Sequence, residues 1–332
     1  MANPVISLIV PVLNEEDSIG VFMRAVEPVL DASGYCHEII FIDDGSSDAT
    51  PDALSDLARQ KRSVKVVTLS RNFGKEAALT AGLKYCSGDA VIPMDIDLQD
   101  PPELIPQLLE KWREGYRVVH ACRSDRSQDS LLKRVSAEMF YRVMEGITDV
   151  SIPRDCGDFR LMDRAVVEAI LEFPERNRFM KGIMACAGFK AARVTYARPV
   201  RAQGTSKFNF FRLWRFALDG ITGFSTLPLR VWTYLGALVA FTAFVYAMFI
   251  IVRTLIFGVV TPGYASLMTA TLFLGGIQLI GIGFLGEYLG RVVAETKGRP
   301  IYIVSETLGF SPGPAPETQV LSLAAVTAGR NS

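Results

Sequence analysis

The sequence predicts an α/β domain followed by a hairpin of two membrane-spanning helices, and three observations carry that prediction. Apolar β-branched runs alternate with segments of helical periodicity through the first 120 residues, the rhythm of parallel strands joined by crossover helices. Two uncharged apolar runs follow between residues 231 and 286. Over all 332 residues the mean hydropathy is +0.25 and 49% of residues are hydrophobic, which excludes a disordered chain and is too apolar for an ordinary soluble one.

Taken in order, strands are expected at 6–12, 38–42, 64–69, 90–94 and 117–121, each a continuous apolar run of the kind buried on both faces. Helices are expected between them at 16–31, 50–60, 75–85 and 102–114. The opening MANPVISLIVPVLNEED lacks a basic n-region, and its apolar run ends in acids. It therefore reads as the first strand and not as a signal peptide, so the globular part is expected to stay inside the cell. Past Gly204, Phe211, Trp214, Leu218 and Ile221 recur at helical spacing while Arg212, Arg215 and Asp219 mark another face, the pattern of a helix lying at a membrane surface. Val231 to Val252 is uncharged for 22 residues, enough at about 1.5 Å per residue to cross a hydrocarbon core of about 30 Å. Gly258, Pro262 and Gly263 give a tight return before a second span at 265–286. Two buried helices of a soluble bundle would suit shorter segments better. Arg230, Arg291, Lys297 and Arg299 weight one flank as cytoplasmic, with Arg253 opposite. Beyond Ile303 the Gly- and Pro-rich tail reads as a loose appendage. The expected organisation is a globular domain over 1–205, interfacial helices over 206–228, two spans over 229–293 and a cytoplasmic tail over 294–332.

The chain balances 35 Lys and Arg against 35 Asp and Glu, yet residues 201–300 hold nine basic residues and three acids beside the most apolar sequence. Attraction to anionic lipid accounts for part of that excess. Nucleic acid is not an expected partner. Five cysteines without a CxxC spacing argue against a disulfide framework or a thiolate zinc site, so reduced thiols are expected. With two histidines, any metal must sit on carboxylates.

The sharpest motif is Asp95-Ile96-Asp97-Leu98-Gln99-Asp100-Pro101-Pro102, directly after a strand. Carboxylates at i and i+2 can share one hard cation, Gln99 can add a neutral oxygen, and an ion with few protein ligands keeps coordination sites for a diphosphate. The alternative is an acidic loop in which Asp100 caps the following helix. Pro11-Val12-Leu13-Asn14-Glu15-Glu16 and Asp43-Asp44-Gly45-Ser46-Ser47-Asp48 leave two further strand ends, where acids can accept hydrogen bonds from a base or ribose. They equally suit a helix N-cap and a turn. Arg71-Asn72-Phe73-Gly74-Lys75 is not a Walker A loop, and no G-x-G-x-x-G is present.

Together PVLNEE, IDDGSSDAT, SRNFGKEAAL, DIDLQDPPE, GDFRLMDR, the stretch 201–209 ending in SKFN, two spans and KGRPIYIV resemble the polyprenyl-phosphate glycosyltransferases of glycosyltransferase family 2. The resemblance extends to dolichol-phosphate mannosyltransferases in the catalytic domain and to bactoprenol glucosyltransferases over residues 4 to about 304. It implies a GT-A (Rossmann-like) domain, Mg²⁺ or Mn²⁺, a nucleotide-sugar donor (a UDP-sugar) and transfer with inversion to a polyprenyl phosphate at the cytoplasmic face of the inner membrane. By this resemblance Pro11, Leu13, Glu15 and Asp44 would hold the nucleoside, with Leu13 standing where many relatives have Tyr. Asp95, Asp97 and Gln99 would serve the metal and diphosphate, and Asp158 would stand near the sugar and acceptor as the candidate base. A lipid phosphate is already anionic at about pH 7, so its oxygen needs orientation and desolvation more than deprotonation. Asp158 could instead be a buried acid paired with Arg160 or Arg164. An anionic acceptor also needs cations between the site and the bilayer, for which Arg123, Arg134, Arg201 and Lys207 are the candidates.

The expected reaction is transfer of one glucose from UDP-glucose to undecaprenyl phosphate. Mannosyl or aminopentose transfer would use the same constellation. A processive polysaccharide synthase would resemble the donor half but carry a QxxRW motif and more spans. A non-catalytic, membrane-anchored nucleotide-sensing module is the reading from another class. Gly275, Gly276, Gly281, Gly283, Gly286 and Gly290 give the second span a small-residue face, and with the resemblance suggest a homo-oligomer.

Overall fold

A computed structural model describes residues 4–123, 156–176, 178, 180–196, 227–258 and 263–310. They fall into two units, one built from the residues up to 196 together with 300–310, the other from 227–299. The first unit alternates strand and helix: β1 (Val5–Val12), α1 (Glu16–Ala32), β2 (Cys36–Asp43), α2 (Thr50–Gln60), β3 (Val64–Leu69), α3 (Lys75–Tyr85), β4 (Ala90–Pro93), a 3-10 turn at Pro102–Leu104, α4 (Ile105–Arg113) and β5 (Val118–Arg123). These lie within two residues of the sequence expectation, because each strand is apolar on both faces and each helix is amphipathic or small-sided. Five further elements were not foreseen: β6 (Cys156–Asp163), α5 (Arg164–Glu172), α6 (Met180–Ala187), β7 (Ala191–Tyr196) and β8 (Val304–Leu308).

The strands form one sheet in the order β7-β5-β6-β4-β1-β2-β3-β8. It is mixed and not wholly parallel. Strands β4, β1, β2 and β3 run parallel, whereas β6 is antiparallel to both β4 and β5, and β8 is antiparallel to β3. One face packs Ile6, Leu8 and Val10 of β1 against Phe22, Val26 and Leu30 of α1 and Leu108 of α4. Helix α3 covers the other face, and its small residues let it approach closely: a Cβ at Gly82 would lie 2.3 Å from Ile9 Cγ2. At the amino end of the strands the buried Glu38 accepts from Ser7, Lys65 and Ser87. Burial opposes its charge, but these donors outweigh burial and hold the carboxyl below its ordinary value.

Two sequence expectations are corrected here. The segment after Ile303 is not a loose appendage over 304–308. Ser70 N–H donates to the Ile303 carbonyl at 2.9 Å, Ser305 Oγ donates to the Thr68 carbonyl at 3.0 Å, and Tyr302 and Val304 are buried. The Gly and Pro residues that suggested a loose tail begin only at Gly309. Cys122, opposite Cys156 in the β5–β6 register, is disulfide-bonded, while Cys36, Cys86 and Cys186 are free.

In the second unit, α7 (Leu227–Phe257) and α8 (Tyr264–Thr296) are joined through Gly258, at φ +76°, and Gly263. Both extend beyond the expected spans, and Gly236–Phe257 and Phe273–Thr296 are long and apolar enough to cross a membrane. Trp232 packs on Gly281, where any Cβ would collide with the indole, and its ring meets Phe284 at 5.7 Å. Phe241, Phe244, Phe249, Leu279 and Ile282 are exposed, so the hairpin is not the buried core of a soluble bundle.

Candidate active site

Strands β1 to β4 all end at one edge of the sheet, and β6, being antiparallel, begins there. Ala90 pairs with Asp163 and Val91 with Met162. Counting the register onward brings Asp158 level with Asp95. The loops at this edge are locked together by short polar contacts. Asn14, at φ +54°, donates its N–H to Ser46 Oγ at 2.9 Å and accepts from Ser47 N–H at 2.8 Å. Glu15 occupies the N-cap position of α1 without a capping side-chain hydrogen bond to the helix backbone, and its carboxylate accepts from Ser18 Oγ at 2.6 Å. Asp44 accepts from the N–H groups of Phe73 and Gly74 at 2.7 and 2.8 Å, which draws the loop after β3 onto the loop after β2. The approach is so close that a Cβ at Gly45, itself at φ +75°, would lie 2.5 Å from the Arg71 carbonyl carbon. Only glycine meets both demands. Burial pushes the Asp44 carboxyl up, with the two N–H donors opposing the shift.

Around Asp95 the charges converge. Lys75, the first residue of α3, places Nζ 2.7 Å from Asp95 Oδ1, 2.8 Å from its Oδ2 and 3.0 Å from Asp158 Oδ2. Asp158 also faces the buried Arg160, whose Nη2 lies 3.4 Å from Oδ1, while Arg160 Nε and Nη2 donate to the Asp158 and Gly157 carbonyls. Burial works against the charge on Lys75, but Asp158 and Asp95 outweigh it and hold the ammonium above the usual lysine range. Asp95 moves the other way: burial, reinforced by Asp158 and Asp97, raises its carboxyl despite Lys75. One ammonium thus serves two mutually repelling carboxylates, Asp95 and Asp158. Glu76 lies close behind, its Oε2 buried without a hydrogen bond, and burial together with Asp158 pushes it up to about 7.

The structure brings together Asp95, Asp97 and Asp158, and sets Glu15 and Asp44 into the neighbouring loops. Asp97 is exposed and accepts from the Gln99 side chain and from Gln99 N–H, across Leu98 at φ +52°. Leu13 is exposed, whereas Pro11 is half-buried within β1 opposite Ile42. Asp158 has 37% of its side chain exposed, so it is an accessible acid held between Lys75 and Arg160. Arg164 is not its partner and donates to the Cys86 and Gly88 carbonyls. Asp100 caps no helix; Tyr196 Oη hydrogen-bonds its carboxylate and ties the acidic loop to β7. Arg123 ends β5 opposite Tyr196. Arg134, Arg201, Lys207 and the expected surface helix lie outside the described residues. Sequence reasoning passed over Lys75 and Glu76, having tested that stretch only as a Walker A loop. The available signal was a Gly-Lys pair opening the helix that leads into β4 and the acidic motif.

A divalent ion fits the donor set. Asp95, Asp97 and Gln99 offer oxygen alone, as a hard cation requires, and the Lys75 ammonium shows that positive charge is favourable beside Asp95. Among the described residues no three His, Cys, Asp or Glu side chains form a cluster able to hold a metal.

Comparison with known proteins places the chain in a family. Residues 7–171 match the model of the glycosyl transferase family 2, and residues 227–292 match the GtrB C-terminal hairpin. An uncharacterized glycosyltransferase of Synechocystis sp. is 52% identical, covering 92% of this chain and 96% of its own. The SfII prophage-derived bactoprenol glucosyl transferase of Shigella flexneri is 53% identical, covering 91% and 98%. The uncharacterized glycosyltransferase YkcC of Bacillus subtilis is 40% identical, covering 92% and 94%. With identity of this order along nearly the whole of each chain, and with both segments matched in order, the protein belongs to glycosyl transferase family 2 and is a glycosyltransferase with a C-terminal hairpin.

Proposed function

We propose that this glycosyltransferase moves one glucose from UDP-glucose to a polyprenyl phosphate, with inversion, at the cytoplasmic face of the inner membrane. The observation that carries the proposal is the 53% identity to a bactoprenol glucosyl transferase across catalytic domain and hairpin alike. The acidic cluster at the strand ends supports the chemistry, and the exposed apolar hairpin supports a lipid-borne acceptor and insertion in a bilayer.

In the proposed reaction an acceptor phosphate oxygen attacks the anomeric carbon as the bond from that carbon to the diphosphate oxygen breaks. The acceptor oxygen is already anionic, so no base is needed for its proton. Asp158 orients the sugar or the acceptor, and its place between Lys75 and Arg160 keeps it aimed. Leu13, Pro11, Glu15 and Asp44 form the nucleoside side, Asp44 acting largely through the loop it pins. Mg²⁺ or Mn²⁺, when bound at Asp95, Asp97 and Gln99, neutralises the charge that develops on the leaving diphosphate. Arg123, Arg134, Arg201 and Lys207 hold the lipid phosphate. The domain limits of 1–205, 206–228, 229–293 and 294–332, apart from the strand at 304–308, and homo-oligomerisation through the hairpin belong to the same proposal.

The test is transfer of radiolabelled sugar from a panel of UDP- and GDP-sugars to undecaprenyl phosphate by the full chain in detergent, with Mn²⁺, Mg²⁺ or EDTA. One organic-extractable product, formed from UDP-glucose and lost in EDTA, is the expected result. Product from GDP-mannose alone would replace the sugar, and no product from any donor with folded protein would favour a nucleotide-sensing module.

A further inference from the structure

The Lys75 ammonium occupies the inner face of Asp95, within hydrogen-bond reach of both carboxylate oxygens, and touches Asp158 as well. A lysine at a helix start would ordinarily extend into water, and a positive charge in the first turn opposes the helix dipole. Here two carboxylates, Asp95 just beyond β4 and Asp158 on β6, draw it inward. A divalent ion that takes Asp95 as a ligand while Nζ holds both oxygens would set two cations about one carboxylate, and their mutual repulsion disfavours that arrangement. Metal entry therefore pushes the ammonium away from Asp95, and another anion within reach of α3 would receive it. The diphosphate of the donor is an anion that arrives at this same edge.

We infer that Lys75 is the resident counter-ion of the carboxylate cluster and couples metal entry to donor entry, so that neither is bound firmly without the other. Lys75 is thereby a positioning residue: it holds Asp95 and Asp158 in register in the empty site and disfavours metal alone. Coupling of this kind is reciprocal, so the nucleotide raises metal affinity by the same factor by which the metal raises nucleotide affinity. The inference rests on Asp95 and Asp97 being the metal carboxylates.

The experiment is Mn²⁺ binding followed by electron paramagnetic resonance, with and without UDP, for the full-length wild type and the Lys75→Met, Lys75→Arg and Asp97→Asn variants in detergent, each shown to be folded by its unfolding transition. Lys75→Met is expected to bind Mn²⁺ alone about fivefold or more tightly than wild type, and to show a smaller enhancement by UDP. Lys75→Arg, which keeps the charge, is expected to retain the wild-type pattern. A Lys75→Met protein that binds Mn²⁺ alone no more tightly than wild type overturns the inference, as does a Lys75→Arg protein that behaves like Lys75→Met. If Asp97→Asn binds Mn²⁺ as wild type does in the presence of UDP, the metal assignment itself fails, a separate outcome from failure of the counter-ion role.

Discussion

Asp158 sits 3.0 Å from one cation and 3.4 Å from another, an arrangement suited to holding a carboxylate in one orientation. If orientation is its contribution, Asp158→Asn should lower kcat by about 10- to 100-fold and leave the shape of the pH–rate profile unchanged between pH 6 and about 8.5. Steady-state kinetics with a lipid-phosphate acceptor would check this; loss of an acidic limb in the variant would instead assign proton transfer to Asp158. Glu76 makes a different prediction. Burial and Asp158 raise its carboxyl to about 7 from 4.5, so the folded state binds the extra proton within that interval. Its contribution to stability is complete below the lower value and is lost as pH rises through the upper one. Thermal unfolding midpoints of the metal-free chain should fall between pH 5 and about 8, and Glu76→Gln should flatten that fall and exceed wild type at about pH 8. An unchanged slope in the variant would remove Glu76 as the cause.

Among the elements, α3 is shaped by the sheet beneath it. Alanine at position 82 would improve helix propensity by about 1 kcal/mol, but its Cβ would meet Ile9 Cγ2 at 2.3 Å and Ile42 Cδ1 at 2.9 Å. Overpacking of this kind costs about 1–3 kcal/mol, so Gly82→Ala is expected to destabilise the chain, as denaturant unfolding would read. A neutral result would mean that α3 can lift from β1 without cost. Strand β8 is equally specific in its consequence. It covers the free edge of β3, with Lys65 5.1 Å over the Phe310 ring and Tyr85 edge-on to it at 5.6 Å. A chain ended at Pro300 would expose the β3 ladder, an unprotected edge. Such a chain is expected to be cleaved faster by protease in the catalytic unit than the full chain; equal resistance would show β8 to be dispensable.

For the molecule as a whole, the proposal places the hairpin and not surface charge as the hold on the membrane. Screening at about 1 M salt shortens electrostatic reach to about 3 Å but leaves apolar burial intact. The protein should therefore stay with sedimented membranes in about 1 M NaCl and be released by detergent. Release by salt alone would assign anchoring to the basic residues of 201–300.

Much of this molecule is local and was legible. Strands β1 to β4 and helices α1 to α4 declare themselves because apolar runs and amphipathic periods are properties of neighbouring residues, and the acidic loop after β4 is conspicuous for the same reason. Strand β6 was missed because GDFRLMD mixes charge with apolar residues. Its buried Arg160 donates to the Asp158 and Gly157 carbonyls of its own strand, a local arrangement that neither hydrophobic periodicity reveals. The tail was misjudged because β8 has no partner until residues 304–308 meet β3. The sequence by itself determined the order of elements from β1 to β5, the apolar hairpin and the carboxylates at 95 and 97. Tertiary structure alone decided that β6 runs antiparallel, that Asp158 thereby comes level with Asp95, and that Lys75 lies between them. The two ion pairs of Lys75 join residues 20 and 83 positions apart, and no local pattern encodes which distant charges will share one ammonium.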